Sequence, residues 1–329
     1  MMSLNKFKRI WNKQGGLEII KNYNATGVLM YSVFLFPFLC SSSTELKIFR
    51  NAIEERSHKI IKKKFFKTHN PIDYSPDKLK KKVSLDSNER PVWFMWLQGI
   101  ENAPRLVKNN YDILIKNIGT NRVKVITQKN ISEYFELPSF IVEKWRKGYI
   151  TTTHLSDIIR LELLYRYGGI WIDSTVMMTC DKLPNYLEDD DFFVPQTLKP
   201  GKDGKAIYIS SWLMSSNVKN IIVSETLGGL YYYWHENNKL VNYFLLHHFM
   251  EIAFENNHEK YFNILPIDNG QMHSILISVL ESQLSVKQIR RQLYLTDFQK
   301  LSNKTTEFQK KELIYLQNIR KTDIERNSE

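Results

Sequence analysis

Three residues in one stretch of this 329-residue chain have the types and spacing to handle a polyhydroxylated, phosphorylated ligand. Asp157 and Arg160 are three positions apart, which places both side chains on one face of a helix. A carboxylate there can hold sugar hydroxyls. A guanidinium suits phosphate because its planar fork pairs bidentately with oxygens. The same pair is equally what an ordinary helix ion pair looks like. The third residue, Asp173, ends the apolar run Ile170-Trp171-Ile172. The C-terminal end of a strand is where open α/β sheets bind ligands. A strand-end acid at fixed distance from the helical pair favours a ligand-holding site.

The elements that must position these groups are legible around them. From His154 onward, Leu155, Ile158, Ile159, Leu161, Leu163, Leu164 and Tyr165 give a broad buried face at helical spacing. Gly168 and Gly169 stop that helix, because glycine tolerates the left-handed conformation that ends helices. Ile170 to Ile172 reads as a buried strand. Upstream, Pro91 to Leu97 is a strand by composition, and Ala103 to Asn117 a helix with Asn102 as a possible cap. Val123 to Thr127 is a second strand, so a βαβ unit precedes the motif. Two short helices flank Pro138. Ile207 to Met214 reads as a further strand, followed by helices over 218–234 and 240–254. Neither a Gly-x-Gly-x-x-Gly nor a P-loop pattern occurs, which leaves a dinucleotide or ATP site without support.

Ser156, Asp157, Arg160, Leu164, Gly168, Gly169, Trp171 and Asp173 together resemble, in order and spacing, the core motif of glycosyltransferase family 32. The tail WIDSTV is most similar to its bacterial branch, the capsular polysaccharide synthesis proteins. The resemblance covers roughly residues 90–275. It implies an α/β fold of the GT-A type, a nucleotide-sugar-binding mixed sheet flanked by helices. It also implies retaining transfer of a sugar from a nucleoside diphosphate donor, of the UDP-sugar kind, to a growing capsular or exopolysaccharide unit on a lipid-linked acceptor.

Carried onto this chain, the resemblance makes Asp157, Arg160 and Asp173 the catalytic group and the centre of donor binding. The matching tryptophan of the family lies by the nucleotide base, which assigns Trp96 as a stacking platform; a core tryptophan is the plainer alternative. Gln98 follows it where the backbone could approach a nucleotide. Asn217 closes a segment similar to the one that precedes a long helix in the family, and His273 falls where the family has a histidine near the donor phosphates. The wider family has Asp-x-Asp where this chain has Asp173-Ser174-Thr175. A Mn²⁺ or Mg²⁺ ion would therefore have only Asp173, the Thr175 hydroxyl and His273 to hold it, a weak set for a cation that favours carboxylate oxygens. That departure keeps one rival open, a non-catalytic, membrane-peripheral scaffold of a polysaccharide-assembly complex; a sugar-phosphate transferase of similar fold is a third reading.

Charge divides the chain. The first 90 residues carry 18 Lys+Arg against 8 Asp+Glu, whereas the rest carry 28 against 27. A basic stretch beside the apolar run Gly27 to Cys40 fits an anionic membrane surface. Nucleic acid is the weaker partner, for no zinc-finger or RNA-binding signature accompanies the charge. The apolar run is 14 residues long and contains Pro37, too short to span a bilayer. Cys40 and Cys180 cannot build a disulfide framework, which fits a reducing cytoplasm. The expected organisation is a basic helical extension over 1–89, a transferase domain over 90–280 and a helical, charged segment over 281–329. The expected location is the cytoplasmic side, peripheral on the inner face of the plasma membrane. His247 and His248 diverge by about 100° on a helix and cannot share one metal.

Overall fold

Buried on both faces, the strands of a helix-covered sheet must be apolar throughout, and the runs around Trp93 and Ile170 meet that condition. The computed structural model describes residues 17–65, 83, 85, 89–198, 208–281 and 285–327. Its central sheet has the order β2-β1-β3-β6-β5, with β1 at Val92–Met95, β2 at Val123–Ile126, β3 at Gly169–Ile172, β5 at Phe192–Phe193 and β6 at Leu213–Ser216. β1 runs parallel to both β2 and β3, while β6 is antiparallel to β3 and to β5. The sheet is therefore mixed. A second, two-stranded sheet pairs β4 (Val176–Met178) with β7 (Phe298–Lys300), antiparallel.

Three helices open the described chain: α1 (Leu17–Thr26), α2 (Leu29–Leu35) and α3 (Ser43–Phe65). The sheet is flanked by α4 (Arg105–Ile118), α5 (Thr152–Tyr167), α6 (Ile221–Glu236) and α7 (Leu245–Asn256). Downstream lie α8 (Ser274–Glu281) and α9 (Glu307–Asn327). Helix α4 begins later than its sequence suggests. Pro104, not Asn102, occupies the N-cap, because Asn102 is drawn into a preceding 3₁₀ turn and donates to Gln98 O. The strand expected over 207–214 starts only at Leu213. Antiparallel pairing to β3 sets its limits, opposing Leu213 to Ile172 and Ser216 to Gly169.

The α5–β3 hinge needs its glycines. Gly168 and Gly169 have φ of +65° and +97°. A Cβ on Gly169 would lie 2.3 Å from Pro91 O, so the backbone of β1's entry leaves no room for a side chain. Thr151 caps the other end of α5 by accepting from His154 N. Nearly every α5 side chain after Asp157 is buried, including Glu162, which pairs with Arg166 at 2.5 Å and accepts from Tyr231 Oη. A charged helix can be buried all round only when such pairs satisfy it.

The N-terminal helices have a small core of their own, Val28, Phe49 and Ile53, and lie against the sheet-bearing body. Thr26 Oγ1 donates to Val241 O at 2.6 Å, and Ile61 joins the main core. On the outer side Met30, Phe34 and Phe38 are 80%, 68% and 70% exposed, a cluster of large apolar groups left in solvent. No helix among the described residues is long and apolar enough to cross a membrane. The basic residues 1–16, most of the linker at 68–90 with Lys80 to Lys82, and the polar loop 199–205 lie outside the described residues.

Candidate active site

The turn after β3 and the end of β7 build the site. Asp173 leaves the C-terminal end of β3, and its backbone N–H donates to Trp212 O at 2.9 Å. Three residues later β4 begins at Val176, and its antiparallel partner β7 sets Lys300 opposite that residue. That register delivers the Lys300 ammonium to Asp173 Oδ2 at 2.7 Å and to Thr175 Oγ1 at 2.8 Å. From the other side, Arg160 Nη2 donates to Asp173 Oδ1 at 2.8 Å, and the Trp171 indole N–H donates to the same oxygen at 2.7 Å. The Arg160 guanidinium stacks 4.9 Å from the Trp171 ring centroid, and its Nη1 lies 3.4 Å from Asp157 Oδ1.

Asp157, Arg160 and Asp173 thus come together in one cluster, with Lys300 as a fourth member. Arg160 is buried; the other three side chains are 14%, 23% and 18% exposed in the order Asp157, Asp173, Lys300. Burial pushes the Asp157 carboxyl up to about 7, and the negative Asp173 adds to this while Arg160 opposes it. Burial would raise Asp173 as well, but Lys300, Arg160 and the hydrogen bonds from Lys300 and Trp171 outweigh it and hold that carboxyl below its ordinary value. Burial lowers the Lys300 ammonium, against the pull of Asp173. The two neighbouring carboxyls are thus driven apart, Asp173 held ionised and Asp157 titrating at about 7. Arg160 Nε and Nη1 are buried donors that make no hydrogen bond among the described residues, the pattern expected where a ligand supplies the acceptors.

Trp212 forms one wall. Its ring centroid is 6.0 Å from Lys300 Nζ, and its indole N–H donates to Asn269 Oδ1 at 3.0 Å. His273 stands edge-on to the same ring at 5.7 Å and shares a 2.8 Å hydrogen bond between its Nδ1 and Asn269 O. It reaches the cluster through Trp212. Tyr243 adjoins the other side: burial and then the charges of Asp157 and Asp173 raise its hydroxyl. Tyr243 also lines a cleft of about 570 Å³ between α1, α3 and residues 209–210 and 241–247.

The remaining expected residues separate. The β1–β3 register pairs Val92 with Ile170 and Trp93 with Trp171, so its continuation sets Trp96 one step past the level of Asp173. Trp96 is half-buried, and its indole N–H is buried without an acceptor among the described residues. Trp93, of opposite parity, is the core tryptophan, fully buried and donating to Gly168 O at 2.8 Å. Gln98 is exposed in the following turn. Asn217 does not join the site. Because β6 runs antiparallel to β3, its C-terminal end lies at the N-terminal edge of β3, roughly 15 Å from Asp173 at strand rise. There Asn217 bonds Arg90 and Asp191, both at 2.6 Å. The same reversal brings Trp212, from the start of β6, to the site instead.

The expected metal ligands do not fit a divalent cation. Both Asp173 oxygens and the Thr175 hydroxyl are already engaged by Arg160, Trp171 and Lys300, and an ammonium occupies the position between Asp173 and Thr175. Lys300 had no sequence signal. It stands 127 residues from Asp173 in a short strand that differs in no way from many others.

Among curated proteins, the chain is similar to the O-glycosyltransferase PaGT of Phomopsis amygdali, 29% identical over 148 residues that cover 40% of this chain and 36% of that protein. It is also similar to the glycosyltransferase afumC of Aspergillus fumigatus, 30% identical over 122 residues, 33% of this chain and 31% of that one. The chain spans about a third of the length of these relatives. Among solved structures, PaToxG glycosyltransferase aligns over 83% of this chain and 96% of its own, at 14% identity and a TM-score of 0.34. The capsular polysaccharide synthesis protein family matches residues 42–319, which include the α5–β3 motif, the Trp212 wall and Lys300, and the chain belongs to that family.

Proposed function

We propose that this chain is a glycosyltransferase that moves a sugar from a nucleoside diphosphate donor to a saccharide acceptor, using protein cations at the position where a metal would otherwise act. The observation that carries this is the Arg160–Asp173–Lys300 bridge at the C-terminal end of parallel strands. In such a reaction the leaving group is a diphosphate, and stabilising its growing charge lowers the barrier most. Arg160 and Lys300 are the fixed positive groups for that task. Asp173 holds both of them in place. Asp157, raised to about 7, carries only part of a negative charge at neutral pH, so Arg160 and Lys300 keep a net positive charge suited to a diphosphate.

The finer reading follows the family resemblance: a GT-A-type nucleotide-sugar fold, a UDP-sugar donor with its base against Trp96, retention through front-face displacement, and a lipid-linked oligosaccharide acceptor. The exposed Met30, Phe34 and Phe38 support seating the N-terminal helices on an anionic membrane face, where such an acceptor would be met. Thermal-shift screening against a panel of nucleotide sugars, with and without Mn²⁺, tests the donor class, since a ligand that binds only the native state raises Tm. Turnover is then followed by identifying the nucleotide released. A nucleoside diphosphate at a rate indifferent to Mn²⁺ supports the reading. A nucleoside monophosphate would instead indicate sugar-phosphate transfer, and donor binding without any turnover would indicate a scaffold.

A further inference from the structure

Helix α3 meets α7 across a buried polar cluster that lies apart from the Asp173 site. His58 and His248 set their Nδ1 atoms 3.3 Å apart, and Glu251 Oε2 lies 3.7 Å from His58 Nδ1. One ligand atom from each of the three residues falls within 4.8 Å of the other two. His248 and Glu251 share a face of α7 by their spacing of three, and His58 approaches from the opposing helix. His248 is fully buried, and the His58 and Glu251 side chains are each 11% exposed.

The outer ring nitrogens determine what the inner ones present. His58 Nε2 is 3.2 Å from Glu255 Oε1, and His248 Nε2 is 3.3 Å from Glu54 Oε2. An ionised carboxylate only accepts, so Glu255 favours the His58 tautomer with its proton on Nε2, whereas His248 Nε2 makes no hydrogen bond among the described residues. His58 Nδ1 then turns its lone pair toward His248 Nδ1 and the Glu251 carboxyl. Two imidazole nitrogens and a carboxylate oxygen gathered about one point are a ligand set suited to a metal cation.

We propose that His58, His248 and Glu251 bind a zinc-class divalent cation through two Nδ1 atoms and a carboxylate oxygen, and that the ion clasps the N-terminal helix α3 to the sheet-bearing body. Tetrahedral bonds of about 2.0–2.2 Å set neighbouring ligand atoms about 3.3–3.6 Å apart. The 3.3 and 3.7 Å separations are close to that, and the third pair lies within 4.8 Å. Glu255 takes the place of the carboxylate that orients a metal-bound imidazole from behind, and Glu54 Oε2 lies 3.3 Å from His248 Nε2. Imidazole ligands select zinc and its first-row neighbours over Mg²⁺ and Ca²⁺. A cleft of about 490 Å³ lined by His58, Glu251 and Glu255 gives the ion access, and water completes the coordination.

This inference is independent of the transferase reading and is tested without an activity assay. The full chain, prepared without a histidine tag, is loaded with ZnCl₂, dialysed and measured by elemental mass spectrometry and thermal melting. The expected result is about one zinc per chain and a Tm at least about 5 °C above that of the EDTA-treated protein. His58→Ala and Glu251→Gln should lose the zinc and the EDTA sensitivity together. If those variants do not fold, Co²⁺ bound to the unaltered chain decides, through the visible absorption of a tetrahedral nitrogen–oxygen site. A loaded chain that retains under about a tenth of an equivalent after dialysis, with Tm unmoved by ZnCl₂ or EDTA, would leave only a shared proton between the rings and overturn the proposal.

Discussion

Replacing Lys300 by alanine removes the ammonium that bridges Asp173 Oδ2 and Thr175 Oγ1. At 2.7 Å and an effective dielectric near 20, the gross attraction to Asp173 is about 6 kcal/mol. Much of that offsets the cost of holding two charges away from water, and both side chains keep some solvent contact, 18% and 23%. The net loss of folding stability should be about 1–3 kcal/mol, with most of the native structure retained because Arg160 and Trp171 still hold Asp173 Oδ1. The loss in the reaction is expected to be larger in effect. One of two fixed cations facing a leaving diphosphate is gone, and single electrostatic stabilisers of this kind are worth about 100- to 1,000-fold in kcat. The assay is release of nucleoside diphosphate from the donor identified by thermal shift. A purely structural lysine would not alter the pH profile, but this one should. Without Lys300, burial outweighs the remaining partners of Asp173 more easily, so its carboxyl titrates higher and the acid limb of kcat/KM moves to higher pH. In the unaltered protein the depressed Asp173 contributes stability above its unfolded value, and that contribution is lost as pH falls through its folded value. Lys300→Arg should recover part of the rate. A folded Lys300→Ala protein within about tenfold of the original kcat/KM, with an unmoved acid limb, would refute the assignment of Lys300 to the leaving-group charge.

Asp157, raised to about 7, should tie donor affinity to protonation. An anionic donor binds better when that carboxyl is neutral, so Kd should weaken as pH rises through about 7; in Asp157→Asn the dependence should flatten, and calorimetry at pH 6 and 8 distinguishes the two. The stability linkage runs the same way: a carboxyl raised on folding favours the native state at low pH and loses that contribution as pH rises through about 7, so Asp157→Asn should be more stable than the original by about 1–3 kcal/mol at pH 8, read by urea unfolding. Gly169→Ala forces a Cβ to 2.3 Å from Pro91 O in a left-handed backbone, and a loss of about 3 kcal/mol or more, seen in the same titration, is expected; a loss under about 1 kcal/mol would show that the hinge can relax. Phe34→Glu should reduce sedimentation with vesicles containing anionic lipid and leave donor binding unchanged, whereas equal sedimentation of both proteins would remove the apolar cluster from any membrane role.

Some of this was legible in the chain and some was not, for reasons that follow from range. The α5 helix, its glycine stop and the β3 strand are set by residues within a few positions of one another, where periodicity and backbone propensity act directly. The convergence of Asp157, Arg160 and Asp173 was readable because the whole motif spans one helix-to-strand connection, short enough that few geometries can join its ends. Trp93 and Trp96 differ because Trp93 lies inside β1, buried on both faces, whereas Trp96 lies just past the strand's end. Asn217 was misplaced because its position depends on whether β6 runs with or against β3, a choice that no local pattern encodes. Lys300 was invisible for a related reason. Its proximity to Asp173 comes from pairing β7 with β4 across more than a hundred residues, and the metal expectation changed with it. The His58–His248–Glu251 cluster likewise needs two helices distant in sequence to pack face to face. By itself the sequence determined the local elements, the motif and the family. Tertiary structure decided which charges meet, because hydrophobic packing of remote segments fixes their register, and Coulomb energy is felt only once that register exists.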